Sequence, residues 1–328
     1  MDPTLDLLVV GEAFVDFVPL HRGPLRSATG LEVHGGGAPA NVAVGAARLG
    51  AATGFLGVVG DDEFGYLIRQ RFEQEGVDVT GLRMAAGEQT GLCFVTLDPS
   101  GERSFLHRGG SAHALFDLQD VAPARVVPAR AICFSSGVMR STVGAQAIYR
   151  LLDDWRGLIT ADPGTFPRSW GDPLAARERL LPALGRCHVV KCSSDEVMYL
   201  TNEVDPRAGA RRLVDGGAEL AIVTCGPRGA IWARADDEGL VPTPDVEVVD
   251  ATGAGDAFMA ALLMRLAHDR ARPALLPVET LHAHLAFACA IGAAACTRRG
   301  AVAGVPRLAL PRVTSRDRTT DFRGSGAR

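Results

Sequence analysis

Apolar and polar positions follow two rhythms along this chain, and each rhythm marks one kind of element. Short apolar runs that suit strands fall at Leu5–Val10, Gly54–Val59, Ala131–Phe134, Leu158–Ala161, Val189–Lys191, Leu220–Thr224 and Ala230–Ala233. Between them, helical spacing predicts helices at Ala38–Leu49, Asp62–Gln74, Thr142–Arg156, Leu174–Leu184, Asp195–Thr201, Arg207–Asp215, Gly255–His268 and Glu279–Thr297. In Asp62–Gln74, for example, Phe64, Leu67, Ile68 and Phe72 share one face. Strands that alternate with helices predict an α/β fold: a mostly parallel sheet with helices on both faces. Two stretches break the alternation. Gly11–Pro19 reads as an extended segment with Phe14, Asp16 and Val18 on one face. Thr90–Leu97 and Arg103–His107 flank the turn-rich Asp98–Glu102 as a hairpin. Such interruptions predict a small accessory sheet covering a cleft. With no internal repeat and no long linker, residues 1–310 read as one domain, with lid elements around 12–35 and 90–108. The polar, arginine-rich tail Pro311–Arg328 reads as disordered.

Two glycine-rich turns carry candidate chemistry. In the first, Gly35 to Asn41 opens the helix Ala38–Leu49, with Pro39 near its first turn and Gly50 past its end. Gly35, Gly37 and Ala40 satisfy a loose dinucleotide fingerprint, but that motif should follow the first strand directly, which argues against a nicotinamide enzyme. The glycines suit a backbone pressed close to a small polar ligand, with Asn41 free to bond it; a loop that merely needs glycine to turn is the plainer alternative. In the second, Val246–Leu263, the β-branched Val246, Val248 and Val249 suit a short strand, and a helix begins near Ala257. Thr252, Gly253, Ala254, Gly255 and Asp256 lie between. Two glycines let successive amides point one way at the positive end of a helix, an arrangement that holds an anion. Asp256 is then placed either to act as a general base or simply to cap the helix. Asp16 lies just past the carboxyl end of the first strand, where open α/β sheets bind ligands.

Composition narrows the classes. At 328 residues, with 47% hydrophobic content and a net charge of -4, the chain is an ordinary globular protein, not basic enough for nucleic acid. Lys191 is the only lysine, so no Walker-type phosphate loop exists and any bound phosphates must rest on backbone amides. The seven cysteines form no C-x-x-C pair and no metal-ligand pattern. Acids near the N-terminus argue against a signal peptide, and the most apolar run, Leu281–Thr297, falls short of the ~18 residues of a membrane span. The expectation is a cytoplasmic protein with no membrane partner.

Both glycine stretches together resemble the signatures of the ribokinase-like (phosphofructokinase-B type) sugar kinase family. The first is G-G-G-A-P-A-N-V-A-V-G-A-A-R-L-G at Gly35–Gly50, and the second is D-A-T-G-A-G-D-A-F at Asp250–Phe258, with G-V-V-G-D-D-E-F-G at Gly57–Gly65 between them. The resemblance spans Leu5 to Pro306 and implies a three-layer α/β sandwich with a small β-sheet lid. It implies that Asp256 is the base for a sugar's primary hydroxyl. The amides of Gly253, Ala254, Gly255 and Asp256 would form the anion hole for the transferring phosphoryl group. Asp250 and Thr252 match ligands of a potassium ion, and Asp16, Gly36, Gly37 and Asn41 match sugar contacts. Lys191, Ser193 and Glu196 match a K-x-[NS]-x-x-E stretch that helps place hydrated Mg²⁺, and Thr224, Gly226 and Gly229 match the nucleotide loop for ATP. The family also implies a homodimer joined through the lid. Several segments are similar to fructokinases, among them the surroundings of Arg108, which matches an arginine near the substrate. Gly164, Phe166 and His113 depart from the fructokinase pattern, as do Ala251 and, near the adenine pocket, Cys289. Gly137 stands where ribokinases carry a glutamate. The implied activity is ATP-dependent phosphorylation of fructose. A ketodeoxygluconate kinase or another sugar or nucleoside kinase is the alternative, and the intact Gly253–Asp256 turn argues against a non-catalytic sugar sensor.

Overall fold

Leu7, Leu8, Val9 and Val10 are all buried because their strand, β1 (Leu5–Val10), has parallel neighbours on both sides and helices over both faces. The structure is a computed structural model and describes residues 4–21, 23–97, 103–108, 112–164, 170–269 and 272–308. Its main sheet adds β4 (Thr53–Gly60) and β5 (Leu82–Ala85) on one side of β1. On the other side come β8 (Ala129–Phe134), β9 (Leu158–Ala161), β10 (Val189–Ser193), β11 (Leu220–Thr224), β12 (Ala230–Arg234) and β13 (Glu238–Val241). Only β12 runs against the rest. The period-2 alternation of β1 splits the core in two: Leu7 and Val9 face one layer, Leu8 and Val10 the other. The first layer holds α1 (Ala38–Arg48), α2 (Glu63–Gln74), α7 (Ala254–Asp269) and α8 (Val278–Ala295). The second holds α3 (Thr142–Asp154), α4 (Pro173–Leu184), α5 (Ser194–Thr201) and α6 (Pro206–Asp215). This is the three-layer α/β sandwich expected.

The interrupting stretches form a second, four-stranded sheet: β2 (Phe14–Pro19) lies between β3 (Leu31–Gly36) and β6 (Leu92–Leu97), and β7 (Arg103–Arg108) completes the hairpin. Phe17 anchors it, stacked on Phe94 at 4.9 Å and edge-on to Phe64 of α2 at 5.7 Å. Asp62 ties helix to sheet: it caps α2 at the amide of Gly65 (2.8 Å) and accepts from Thr90 Oγ1 (2.7 Å) just ahead of β6.

Some expectations fail. Gly35 and Gly36 are not a helix-opening loop but the end of β3, paired opposite Val15 and Phe14; the lid strand was hidden by its glycines. Val246–Val249 forms no strand. No strand among the described residues pairs with it, Val248 and Val249 are exposed, and the amides of Val249 and Asp250 bond Cys296 O at 2.9 and 3.0 Å. β-branched residues make a strand only where a partner offers pairing. The apolar run expected at Leu281–Thr297 becomes α8, 18 residues long and apolar enough by composition to span a bilayer. Half of it is buried, with Leu281, Leu285 and Ala288 inside the core, and His284 bonds Asp269 of α7 at 2.5 Å. It is a core helix. The Asp98–Glu102 turn, Phe166 and the Pro311–Arg328 tail lie outside the described residues.

Candidate active site

The carboxyl ends of the parallel strands and the N-termini of α1 and α7 meet beneath the lid sheet. Asp256 sits in the first turn of α7 and accepts a hydrogen bond from Asn41 Nδ2 of α1 at 2.8 Å. Helices α1 and α7 approach this closely because Gly45 faces Ala260, where even one added carbon would stand 3.0 Å from the Ala260 methyl. On the lid side, the Asp16 carboxylate fills the space where Gly36 lacks a side chain, and any Cβ there would overlap it. Asp16, the stretch Gly36, Gly37 and Asn41, and Asp256 are thereby brought together from three distant parts of the sequence.

The turn ahead of α7 has the geometry of an anion hole. Gly253 adopts φ +74°, a conformation that favours glycine, and a Cβ there would overlap the carbonyl of Ala301. The amide of Ala254 bonds Ala251 O at 3.4 Å and that of Ala257 bonds Gly253 O at 2.8 Å, so the amides of Gly253, Gly255 and Asp256, with no backbone acceptor among the described residues, are the ones open at the helix end. Lys191 stands behind this turn, its Nζ 2.9 Å from where a Cβ of Gly255 would lie. It also bonds both oxygens of Asp162, at 3.0 and 2.9 Å. Burial alone would discharge Lys191, but the carboxylates of Asp162, Glu196 and Asp256 outweigh it and raise its pKa. The site thus holds a fixed positive charge beside outward-pointing amides. For Asp256, burial raises the pKa above the ordinary aspartate value, while the Lys191 charge and the Asn41 bond pull it down.

The other predicted residues are spread around this centre. Ser193 and Glu196 form a capping box at the start of α5, with Ser193 N donating to Glu196 Oε2 at 2.6 Å. Glu196 is buried and near enough to act on the charges of Lys191 and Asp256. Thr224 ends β11 opposite Ser193, and Gly226 and Gly229 bound the turn into β12. The Asp250 carboxylate accepts from the amides of Thr252 (2.7 Å) and Gly300 (3.0 Å), and the buried Thr252 Oγ1 has no partner among the described residues. Arg108 ends β7 on the lid opposite Leu92, exposed and with no side-chain bond among the described residues. His113 is half-buried beside Gly91 at the base of the lid, where burial first, then the charges of Arg140 and His107, hold its pKa down at about 4. Cys289 is buried in α8 with Sγ 3.9 Å from Val241 O, and Gly164 faces open space.

Sequence reasoning assigned no role to two acids at the centre. Asp162, at the end of β9, could have been found only as the partner that a lone buried lysine demands. Glu12 follows Gly11 at the end of β1, the same ligand-binding edge that drew notice to Asp16, and that position was its signal.

The profile of the pfkB family carbohydrate kinases matches residues 4–308. A fructokinase of Klebsiella pneumoniae is 37% identical over 305 residues, covering 91% of this chain and 95% of its own. The crystal structure of a fructokinase with bound ATP from Xylella fastidiosa superposes with a TM-score of 0.81 at 34% identity, over 92% of this chain and 95% of that one. A fructokinase double mutant from Vibrio cholerae O395, bound to fructose, ADP and a potassium ion, gives a TM-score of 0.81 at 29% identity, over 93% and 97% of the two chains. With Asp256, the outward amides and Lys191 gathered under a β lid, the chain belongs to the pfkB family of carbohydrate kinases and is an enzyme that phosphorylates a sugar.

Proposed function

We propose that this kinase transfers the γ-phosphoryl group of ATP to the primary hydroxyl of fructose, giving fructose 6-phosphate. The observation that carries the reading is Asp256: a carboxylate steadied by Asn41 at 2.8 Å, in the first turn of α7, with Lys191 behind the same turn. In its ionised form Asp256 accepts the proton of the attacking hydroxyl, while Asn41 fixes the carboxylate's direction. The amides of Gly253, Gly255 and Asp256 and the Lys191 charge offset the negative charge that develops on the transferring group. The names and bound molecules of the Klebsiella, Xylella and Vibrio relatives support ATP and fructose as the substrate pair.

Two cations belong to the reading. Glu196, buried within electrostatic reach of Lys191 and Asp256, would orient a hydrated Mg²⁺ that neutralises phosphate charge when bound. Asp250 and Thr252 would hold potassium: the unpartnered, buried Thr252 Oγ1 beside a carboxylate is an oxygen set that suits a hard cation. The expected outcome is faster turnover in potassium than in sodium at equal ionic strength; identical rates would remove the site. Association through the lid, whose Val33 and Leu106 are exposed, completes the reading, and a single-chain mass by light scattering would remove that part.

The test is ADP release with Mg²⁺-ATP and potassium against fructose, ketodeoxygluconate, ribose, tagatose and adenosine. Fructose is expected to respond most strongly. Strong turnover of ketodeoxygluconate with none of fructose would overturn the choice of sugar and leave the kinase intact.

A further inference from the structure

Glu12 takes part in none of the roles above, yet it stands beside Gly37 and within electrostatic reach of Asp256. Its Oε2 accepts a hydrogen bond from Ser135 Oγ at 2.5 Å, and its backbone carbonyl lies 2.8 Å from where a Cβ of Gly37 would stand. The carboxylate of Asp256 and the guanidinium of Arg140 both act on its charge. The residue as a whole is half-buried. Opposite it is Gly137, at the turn after β8. A Cβ at 137 would overlap both carboxylate oxygens, so the carboxylate occupies the space that any side chain at 137 would need.

We propose that Glu12 contacts the substrate: its carboxylate accepts a hydrogen bond from a hydroxyl of the bound sugar, oriented by Ser135, and Gly137 is the residue that leaves room for it. The inference rests on the sugar kinase reading and deepens it by naming a specificity-determining residue. A carboxylate kept for the fold alone is met by a charged group or by several donors, as Asp62 is by the amide of Gly65 and by Thr90. No ion pair involves Glu12 among the described residues; its side-chain partner is the neutral hydroxyl of Ser135. Burial raises its pKa, which means that the ionised form is held at a cost in stability, as functional groups in clefts often are. A polyol offers the hydroxyl donors that such a group lacks. The acceptor stands on the same cleft as Asp256, so it would fix which hydroxyl faces the base.

The variants Glu12→Gln, Gly137→Ala and their combination test the proposal, assayed on whichever sugar the substrate panel identifies. Loss of one charge-assisted hydrogen bond should raise the KM for sugar about tenfold or more in Glu12→Gln. The KM for ATP should be unchanged, and the thermal midpoint equal or higher. Gly137→Ala should raise the sugar KM in the same way by displacing the carboxylate. The double variant should be no worse than the poorer single one, because both remove one interaction. An unchanged sugar KM in either folded single variant overturns the proposal. A lower thermal midpoint with KM for ATP and sugar raised together overturns it in favour of a structural role. If wild-type enzyme ignores fructose but turns over another sugar, the fructose reading fails on its own and the same variants still decide the role of Glu12.

Discussion

Asp256→Asn is expected to lower kcat by about 10²–10⁴-fold, the usual contribution of a positioned general base. The substitution keeps size and shape, and the new amide oxygen can still accept from Asn41 Nδ2, now at 2.8 Å from the carboxylate, so the fold should be undisturbed. Calorimetric affinity for ATP and the thermal midpoint should match the wild type. The pH dependence carries the sign of the argument. Burial raises the pKa of Asp256, so the wild-type kcat/KM should fall as pH drops through a value above the ~3.9 of a free aspartate. The base is lost by protonation on the acid side, and activity is retained above it. The residual activity of Asp256→Asn should lack that acid limb. Near-normal turnover in the variant would take the role of base away from Asp256.

Lys191→Met should produce the largest loss of stability of any single change considered. Lys191 is 4% exposed and Asp162 6%, with two bonds of 3.0 and 2.9 Å between them. Removing one partner of a buried pair leaves an uncompensated charge and costs about 3–5 kcal/mol. Here three carboxylates, Asp162, Glu196 and Asp256, draw on the same ammonium, so the cost should lie at the upper end. For a chain of this size that is a fall in thermal midpoint on the order of 10 °C, readable by calorimetry. Turnover should fall as well, since the charge beside the Gly255 amide is gone. Adding Asp162→Asn to Lys191→Met should recover part of the midpoint but none of the turnover, because stability needs only the unpaired charge removed. If Lys191→Met melts with the wild type, the buried pair does not stabilise the fold.

How much was legible depends on how local the cause is. Leu158–Ala161 and Leu220–Thr224 were predicted to the residue, because each is a short apolar run closed off by its neighbours and buried in a central strand. The start of α7 was placed within one residue, at Ala254 rather than Gly255, by glycines whose conformational demands lie within the turn itself. Gly35 and Gly36 misled for the opposite reason. Glycine signals a turn in isolation, whereas here the side chain that Gly36 lacks makes room for Asp16 on the adjoining strand, and the one that Gly35 lacks makes room for Arg71 of α2. The valines before Asp250 misled in turn, since strand propensity is realised only beside another strand.

By itself, the sequence determined the α/β class, the order of most strands and helices, the outward amides before α7 and the positions of Asp256 and Asn41. Those depend on propensities and turn chemistry that act over a few residues. Only the tertiary structure brought Asn41 to Asp256 across 215 positions, Ser135 to Glu12 across 123 and Lys191 to Asp162 across 29. Such pairs are set by which strands become neighbours in the sheet and how closely helices approach over it, through burial of apolar faces that no local pattern encodes. The electrostatics follow from those meetings: carboxylates that the chain delivers from elsewhere hold Lys191 charged, and burial holds Asp256 above its ordinary pKa against the pull of Lys191 and Asn41.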